Sequence, residues 1–298
     1  ANGPIAADSR EFCTLRVNGG TRCPPDIGLR WTHTHDSRQV QPMPQTPDSP
    51  PDSAAQLASP SYRLAALDQE FLLGDSMRGV RFLLEYAKAE AALRQWGVES
   101  TIVVFGSARV APDGPGRQAH WYETARGFGR LASQRGGALR NGGEGRHNVI
   151  ATGGGPGIME AANRGAQEVG APSIGFNITL PHEQTPNAYS TPELTFQFHY
   201  FAMRKMHLAM RASALVIFPG GFGTLDELFE LLTLRQTQKS PPIPIVLCDQ
   251  AYWSQVINFQ ALADQGMISP QDLSLFGYAD TPLEIWESLE SRGLHAVD

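Results

Sequence analysis

The sequence predicts an α/β fold built on a mainly parallel sheet flanked by helices, and three observations carry that expectation. From residue 101 onward, short β-branched and apolar runs alternate with stretches of helical periodicity, the pattern of consecutive βαβ units. Three of those runs end in glycine-containing loops that lead into helices, as strand-to-helix connections in parallel sheets do. The 298 residues, 41% of them apolar, supply core for one domain of roughly 200 residues plus extensions.

Along the chain, residues 1–60 are rich in Pro, Ser, Asp, Gln and Gly. Pro42, Pro44, Pro47, Pro50, Pro51 and Pro60 block regular structure there, so a flexible tail is expected. A helical extension is expected over 61–100, because Phe71, Met77, Val80, Leu84, Ala87, Ala91 and Leu93 recur at the spacing of a buried face in one helix or a broken pair. The α/β domain then occupies 101–298. Its strands are expected at 101–105, 147–151, 173–178, 214–218 and 243–247, and its helices near 118–133, 158–168, 201–211, 224–235, 252–263 and 282–291. The charged, glycine-rich stretch 135–146 reads as a mobile surface loop. No repeat of solenoid period is present.

Several functional classes are disfavoured. A net charge of -6 gives no basic field for gripping a polynucleotide, although a small anion held by local geometry stays open. Cys13, Cys23 and Cys248 have neither paired spacing nor a histidine cluster, so neither a disulfide framework nor a metal site is expected. No apolar run reaches the roughly 18 to 20 residues of a membrane-spanning helix, and residues 1–10 lack the order of a secretory signal; a cytoplasmic protein is expected.

The chemistry concentrates at the three glycine-rich strand ends. The first, Gly106-Ser107-Ala108-Arg109, combines close backbone approach, a hydroxyl and a forked cation. The second runs from Thr152 to Glu160 and contains Gly153, Gly154, Gly155 and Met159. Its exposed N–H groups and the helix end behind them suit an anion. It lacks the Gly-Lys-Ser/Thr ending of a Walker loop and the third glycine of a dinucleotide fingerprint, so no such cofactor is expected. The third end holds Pro219, Gly220, Gly221, Gly223 and Thr224, with Thr224 suited to capping the helix and to donating to phosphate. Glu227 lies one turn inside that helix. Its carboxylate turns a binding loop into a candidate active site, although an acid there also complements the helix dipole.

Pro219-Gly220-Gly221-x-Gly223-Thr224-x-x-Glu227 resembles the signature of the LONELY GUY (LOG) proteins, long labelled lysine decarboxylases. Arg204-Lys205, Gly106 to Arg109, Gly153 to Met159 and the stretch 180–184 are also similar to that family. The resemblance covers about 101–291 and implies a Rossmann-like, doubly wound fold. It further implies hydrolysis of a purine nucleoside 5′-monophosphate, AMP or a cytokinin nucleotide, to free base and ribose 5-phosphate, without cofactor or metal. A homodimer or higher homo-oligomer follows by the same resemblance. Two departures stand out: residues 201–205 lack the histidine of the usual Met-His-x-Arg-Lys motif, and Glu160 replaces a common glycine, which suggests a longer bacterial subtype.

On this reading Glu227 stabilises positive charge at the anomeric carbon and orients the attacking water, and Arg204 contributes electrostatics and positioning. Phosphate is expected against the N–H groups of Gly221, Gly223 and Thr224, near Gly154, Gly155 and Ser107, with Gly106, Arg109 and Gly220 around it. Met159 and Glu160 are expected near the base or sugar, and Lys205 either at phosphate or on a helix surface. The alternatives are a carrier that binds a nucleotide or molybdenum cofactor without turnover, and literal lysine decarboxylation. For the latter, Lys88, Lys205 and Lys239 offer no convincing pyridoxal phosphate site.

Overall fold

The sheet is all-parallel. Among the residues described by the computed structural model, 52–140, 145–180 and 185–296, its strands are β1 (Thr101–Phe105), β2 (Val149–Thr152), β3 (Ser173–Ile178), β4 (Thr195–Phe198), β5 (Ala212–Ile217), β6 (Ile245–Cys248) and β7 (Gly277–Ala279). Their order is β4-β3-β2-β1-β5-β6-β7, with every neighbouring pair parallel. Every residue of β1, β2 and β6 is buried, as expected of central strands covered by helices on both faces. The chain winds from β1 out to β4, then returns to the other side of β1 with β5. The crevice between the carboxyl ends of β1 and β5 is therefore the topological switch point, where ligands of open α/β sheets bind.

The helices are α1 (Ala54–Ala58), α2 (Gln69–Leu73), α3 (Arg78–Gln95), α4 (Gln118–Arg135), α5 (Ile158–Glu168), α6 (Phe201–Met210), α7 (Phe222–Gln236), α8 (Gln250–Val256), α9 (Phe259–Asp264) and α10 (Pro282–Ser291). The chain divides into Ala1–Ser59 and Pro60–Asp298, and α1 belongs to the first unit. Most of the expected tail and residues 141–144 of the expected loop lie outside the described residues. The ends of that loop are pinned: the Arg146 N–H donates to Gly97 O at 2.6 Å, and its guanidinium donates to Ala138 O at 3.0 Å. In α4, Tyr122, Ala125, Phe128 and Ala132 recur at helical spacing and are buried, facing a stripe of alanines on α5 that includes Ala161, Ala162 and Ala166.

Three sequence expectations need correction. β4 and β7 were not anticipated: at four and three residues on the sheet edges, they carry too few apolar positions to show a period. The single helix expected over 252–263 is two, because the Asn258 side chain accepts from Ala261 N at 3.0 Å and caps α9 afresh. In the extension, Phe71, Val80, Leu84, Ala87 and Ala91 are exposed, and of the expected face only Leu93 is fully buried. The buried face of α3 is rotated to Ala89, Glu90 and Leu93. Phe82 meets Tyr200 edge-on at 4.3 Å and Tyr86 stacks on the buried His207 of α6 at 5.4 Å.

That rotation puts a carboxylate in the interior and supplies it with partners. Glu90 receives both terminal nitrogens of Arg211 at 2.8 Å and Nε of Arg94 at 2.6 Å. The Arg211 hydrogen bonds, with help from Arg94, overcome burial and lower the Glu90 carboxyl to about 2. A depressed folded pKa contributes stability above the unfolded value of 4.5 that is lost as pH falls towards 2. Glu90→Gln is expected to destabilise the fold at pH 7 by on the order of 2 kcal/mol. Thermal melts should show this deficit shrinking as the pH is lowered through that window, and a pH-independent deficit would exclude the ionic origin.

Candidate active site

Backbone hydrogen bonds fasten the three strand-end loops together. The Phe218 N–H donates to Phe105 O at 2.8 Å, Ser107 N–H to Pro219 O at 3.0 Å, and Ile158 N–H to Ser107 O at 3.2 Å. They surround a cavity of about 890 Å³ at the switch-point crevice, within the size range of small-molecule sites. Gly157, the cap position of α5, has φ 72°, and a Cβ there would strike the Ser107 carbonyl, so both backbone conformation and close approach call for glycine.

Of the candidate residues, Gly106, Ser107, Arg109, Gly155, Met159, Arg204, Gly220, Gly221, Gly223 and Thr224 line this cavity. The cap expected of Thr224 is not formed, because α7 begins at Phe222 and Gly221 occupies the cap position without a side-chain hydrogen bond. The N–H groups of Phe222, Gly223 and Thr224 thus lie in the first turn, where they have no intrahelical acceptor and the helix dipole is positive. This is an anion-binding arrangement.

Four candidates lie elsewhere. Gly154 donates its N–H to Thr152 Oγ1 at 3.0 Å and accepts from Asn187 N at 2.9 Å, which engages its backbone internally. Glu160 accepts from Tyr122 Oη at 2.8 Å, away from the cavity. Lys205 is held between Asp226 at 2.7 Å and Glu230 at 3.1 Å on α7. Glu227 sits one layer behind the cavity wall, its side chain 6% exposed, with Oε1 3.9 Å from Nη1 of Arg204.

Arg204 links that buried carboxylate to the cavity. Its Nε donates to Phe176 O at 2.8 Å, and its guanidinium lies against Gly153, which Met159 Sδ also approaches. Burial pushes the Glu227 carboxyl up to about 7, opposed by the attraction of Arg204 and then of Lys205. Burial likewise pulls Arg204 down, against the pull of Glu227, yet a guanidinium stays charged. A carboxylate poised near neutrality beside a fixed cation is suited to accepting a proton and to stabilising positive charge.

The sequence reading missed part of the wall. Trp121, Tyr252 and Asn177 also line the cavity. Trp121 Nε1 donates to Asp249 at 2.7 Å and Tyr252 Oη donates to Gly220 O at 2.9 Å, so both rings are fixed in orientation. Asp249 is buried at φ 72°, an unfavourable backbone region for a non-glycine residue, and also accepts from Arg117 at 2.8 Å. The available signal was position: Asp249 and Asn177 are polar residues at or just beyond the carboxyl ends of apolar strands. Among the described residues no cluster of three or more His, Cys, Asp or Glu is placed to hold a metal, and no helix is long and apolar enough to cross a membrane. Residues 181–184 of the family-like stretch lie outside the described residues.

Residues 159–289 match the family model described as possible lysine decarboxylase. The chain is 27% identical over 150 residues to cytokinin riboside 5′-monophosphate phosphoribohydrolase LOG7 of Arabidopsis thaliana, covering 49% of this chain and 68% of that protein. It is also 27% identical over 146 residues to LOG3 of the same plant, covering 48% of this chain and 66% of that one, so the match spans about two thirds of these relatives. Among solved structures, the molybdenum cofactor binding protein of Rippkaea orientalis aligns at 20% identity and TM-score 0.42, over 64% of this chain and 94% of that one. The matched segment begins at Met159 and contains both members of the Arg204–Glu227 pair and the third glycine loop, and over it the chain is similar to the LOG proteins.

Proposed function

We propose that this protein is a phosphoribohydrolase that cleaves the N-glycosidic bond of a purine nucleoside 5′-monophosphate, AMP or a cytokinin nucleotide. The observation that carries the reading is the buried Arg204–Glu227 pair beside a cavity whose floor is an uncapped helix end. The 5′-phosphate binds the first-turn N–H groups of α7, with Ser107 opposite. This remote anchoring is used to hold the sugar against the pair, which accounts for a preference for monophosphates over nucleosides. The C1′–N bond breaks through a transition state of oxocarbenium character, a water oxygen bonds to C1′, and a proton of that water passes through one further water to Glu227 behind the wall. The base departs with a proton taken from solvent, Glu227 returns its own proton to solvent, and ribose 5-phosphate is left. Arg204 holds the carboxylate in register and faces the substrate at the wall.

The names of the LOG relatives support the same reaction class, and a cytoplasmic setting fits it. The outward apolar residues of the extension, Leu67, Leu73, Leu83 and Leu84, support a homodimer or higher assembly. Incubating the purified protein with AMP, GMP, CMP and isopentenyl-AMP and separating the products by chromatography tests the proposal. Release of adenine or isopentenyladenine is expected. Intact nucleotides throughout, with binding preserved, would make the protein a carrier instead.

A further inference from the structure

We propose that Asn177 is a sugar-recognition residue whose side-chain amide donates a hydrogen bond to the 2′-hydroxyl of the bound nucleotide; the assignment rests on the phosphoribohydrolase reading above. Asn177 lies near the carboxyl end of β3 and lines the cavity. Its Nδ2 is shielded from solvent and has no acceptor among the described residues. Nearby amides behave otherwise. Asn187 Nδ2 donates to Gly155 O at 3.0 Å and to Asn163 Oδ1 at 3.1 Å, and Asn163 Nδ2 donates to Ser173 Oγ at 2.9 Å. Buried amide donors are ordinarily paired, so a single unpaired one at a cavity wall points to a ligand acceptor.

The surroundings hold this amide in place. It packs over Gly154, where an added Cβ would lie 2.7 Å from Cγ and 2.8 Å from Oδ1 of Asn177. The preceding residue, Phe176, supplies the carbonyl that accepts from Nε of Arg204 at 2.8 Å. Asn177 is thereby a neighbour of the guanidinium that contacts Glu227, the place where the anomeric carbon sits in the proposed complex. With the phosphate fixed at the start of α7, the hydroxyl adjacent to C1′ is the one on C2′. Hydrogen bonds to that hydroxyl strengthen as the oxocarbenium ion forms, so the contact acts on the rate as well as on binding.

A substrate–variant cycle tests the contact, with AMP and 2′-deoxy-AMP assayed on the wild type, Asn177→Ala and Asn177→Leu, the last keeping the side-chain size without the donor. Both variants should lose about 10- to 100-fold in kcat/KM on AMP and change by less than about 3-fold on 2′-deoxy-AMP. Because both substrates are measured on the same preparation, misfolding lowers both rates and cannot imitate this pattern. Equal losses on both substrates, or none on AMP, would overturn the proposal. The same cycle run on dissociation constants by calorimetry reads the contact without turnover. A wild type that binds AMP and releases no adenine refutes the hydrolase reading alone, whereas absence of coupling in the binding cycle refutes the role of Asn177.

Discussion

Glu227→Gln is expected to reduce base release from AMP by roughly 10²- to 10⁴-fold, the usual range for removing a positioned general base. Nucleotide affinity should change little, because Glu227 does not line the cavity and the groups facing the phosphate are backbone N–H. Only the ionised carboxylate accepts a proton, so wild-type kcat/KM should climb as pH rises through about 7, the value to which burial raises Glu227, and Glu227→Gln should abolish that limb. The same substitution has an opposite signature in stability. A carboxyl whose folded pKa exceeds its unfolded value of 4.5 contributes fully below that value, and its contribution disappears as pH rises through about 7. At pH 8 the wild type therefore bears a cost of roughly 3 kcal/mol that the glutamine variant avoids. Melting curves should show the variant gaining on the wild type between pH 5 and 8. Near-normal turnover would remove Glu227 from the mechanism, and a variant that loses ground over that range would show that the ionised pair is net stabilising.

Arg204→Ala should lower turnover about 10²- to 10³-fold and displace the pH profile upward. Arg204 is the largest influence holding the Glu227 carboxyl down against burial, so its removal moves the rising limb above 7 and leaves the acid protonated at neutral pH. Deleting one partner of a buried pair costs about 3–5 kcal/mol where the survivor stays charged. Here proton uptake by Glu227 limits that cost at neutral pH, and the full penalty appears only in alkali. Lysine is a poor substitute, because the guanidinium bonds Phe176 O through Nε while its far end meets Glu227, and a single ammonium cannot span both. Rate–pH profiles of both variants check this. A limb that stays in place would show that the two side chains act independently.

The sheet and the loops at its switch point were legible because apolar period and glycine spacing are local properties. β1 and β3 were placed to the residue, since β1 reads as a continuous apolar run and β3 as a mainly apolar one whose last two residues are half-buried. What escaped depends on tertiary packing. The buried face of α3 is selected by Tyr200 and His207 more than 100 residues away, so the periodicity of 67–96 alone pointed to the wrong side. Within the cavity, glycines announce close approach wherever they occur in sequence, but Trp121 and Tyr252 acquire their places only through Asp249 and Gly220. The depth of Glu227 was equally invisible. Its spacing from Thr224 sets it one turn along the helix, and only the packing of Arg204 decides that it faces that guanidinium behind the wall.

The backbone ties among the three loops bear on the order of events during folding. Ser107 contacts Pro219 across 112 positions and Ile158 across 51, so the loop cluster around the cavity cannot exist until both arms of the sheet have docked. Recognition is thus a late property of the chain, and a fragment ending before β5 would lack it. Conversely, a nucleotide seated there clamps segments that fold far apart in sequence, and at 100 times its dissociation constant it would strengthen the whole domain by about 2.7 kcal/mol.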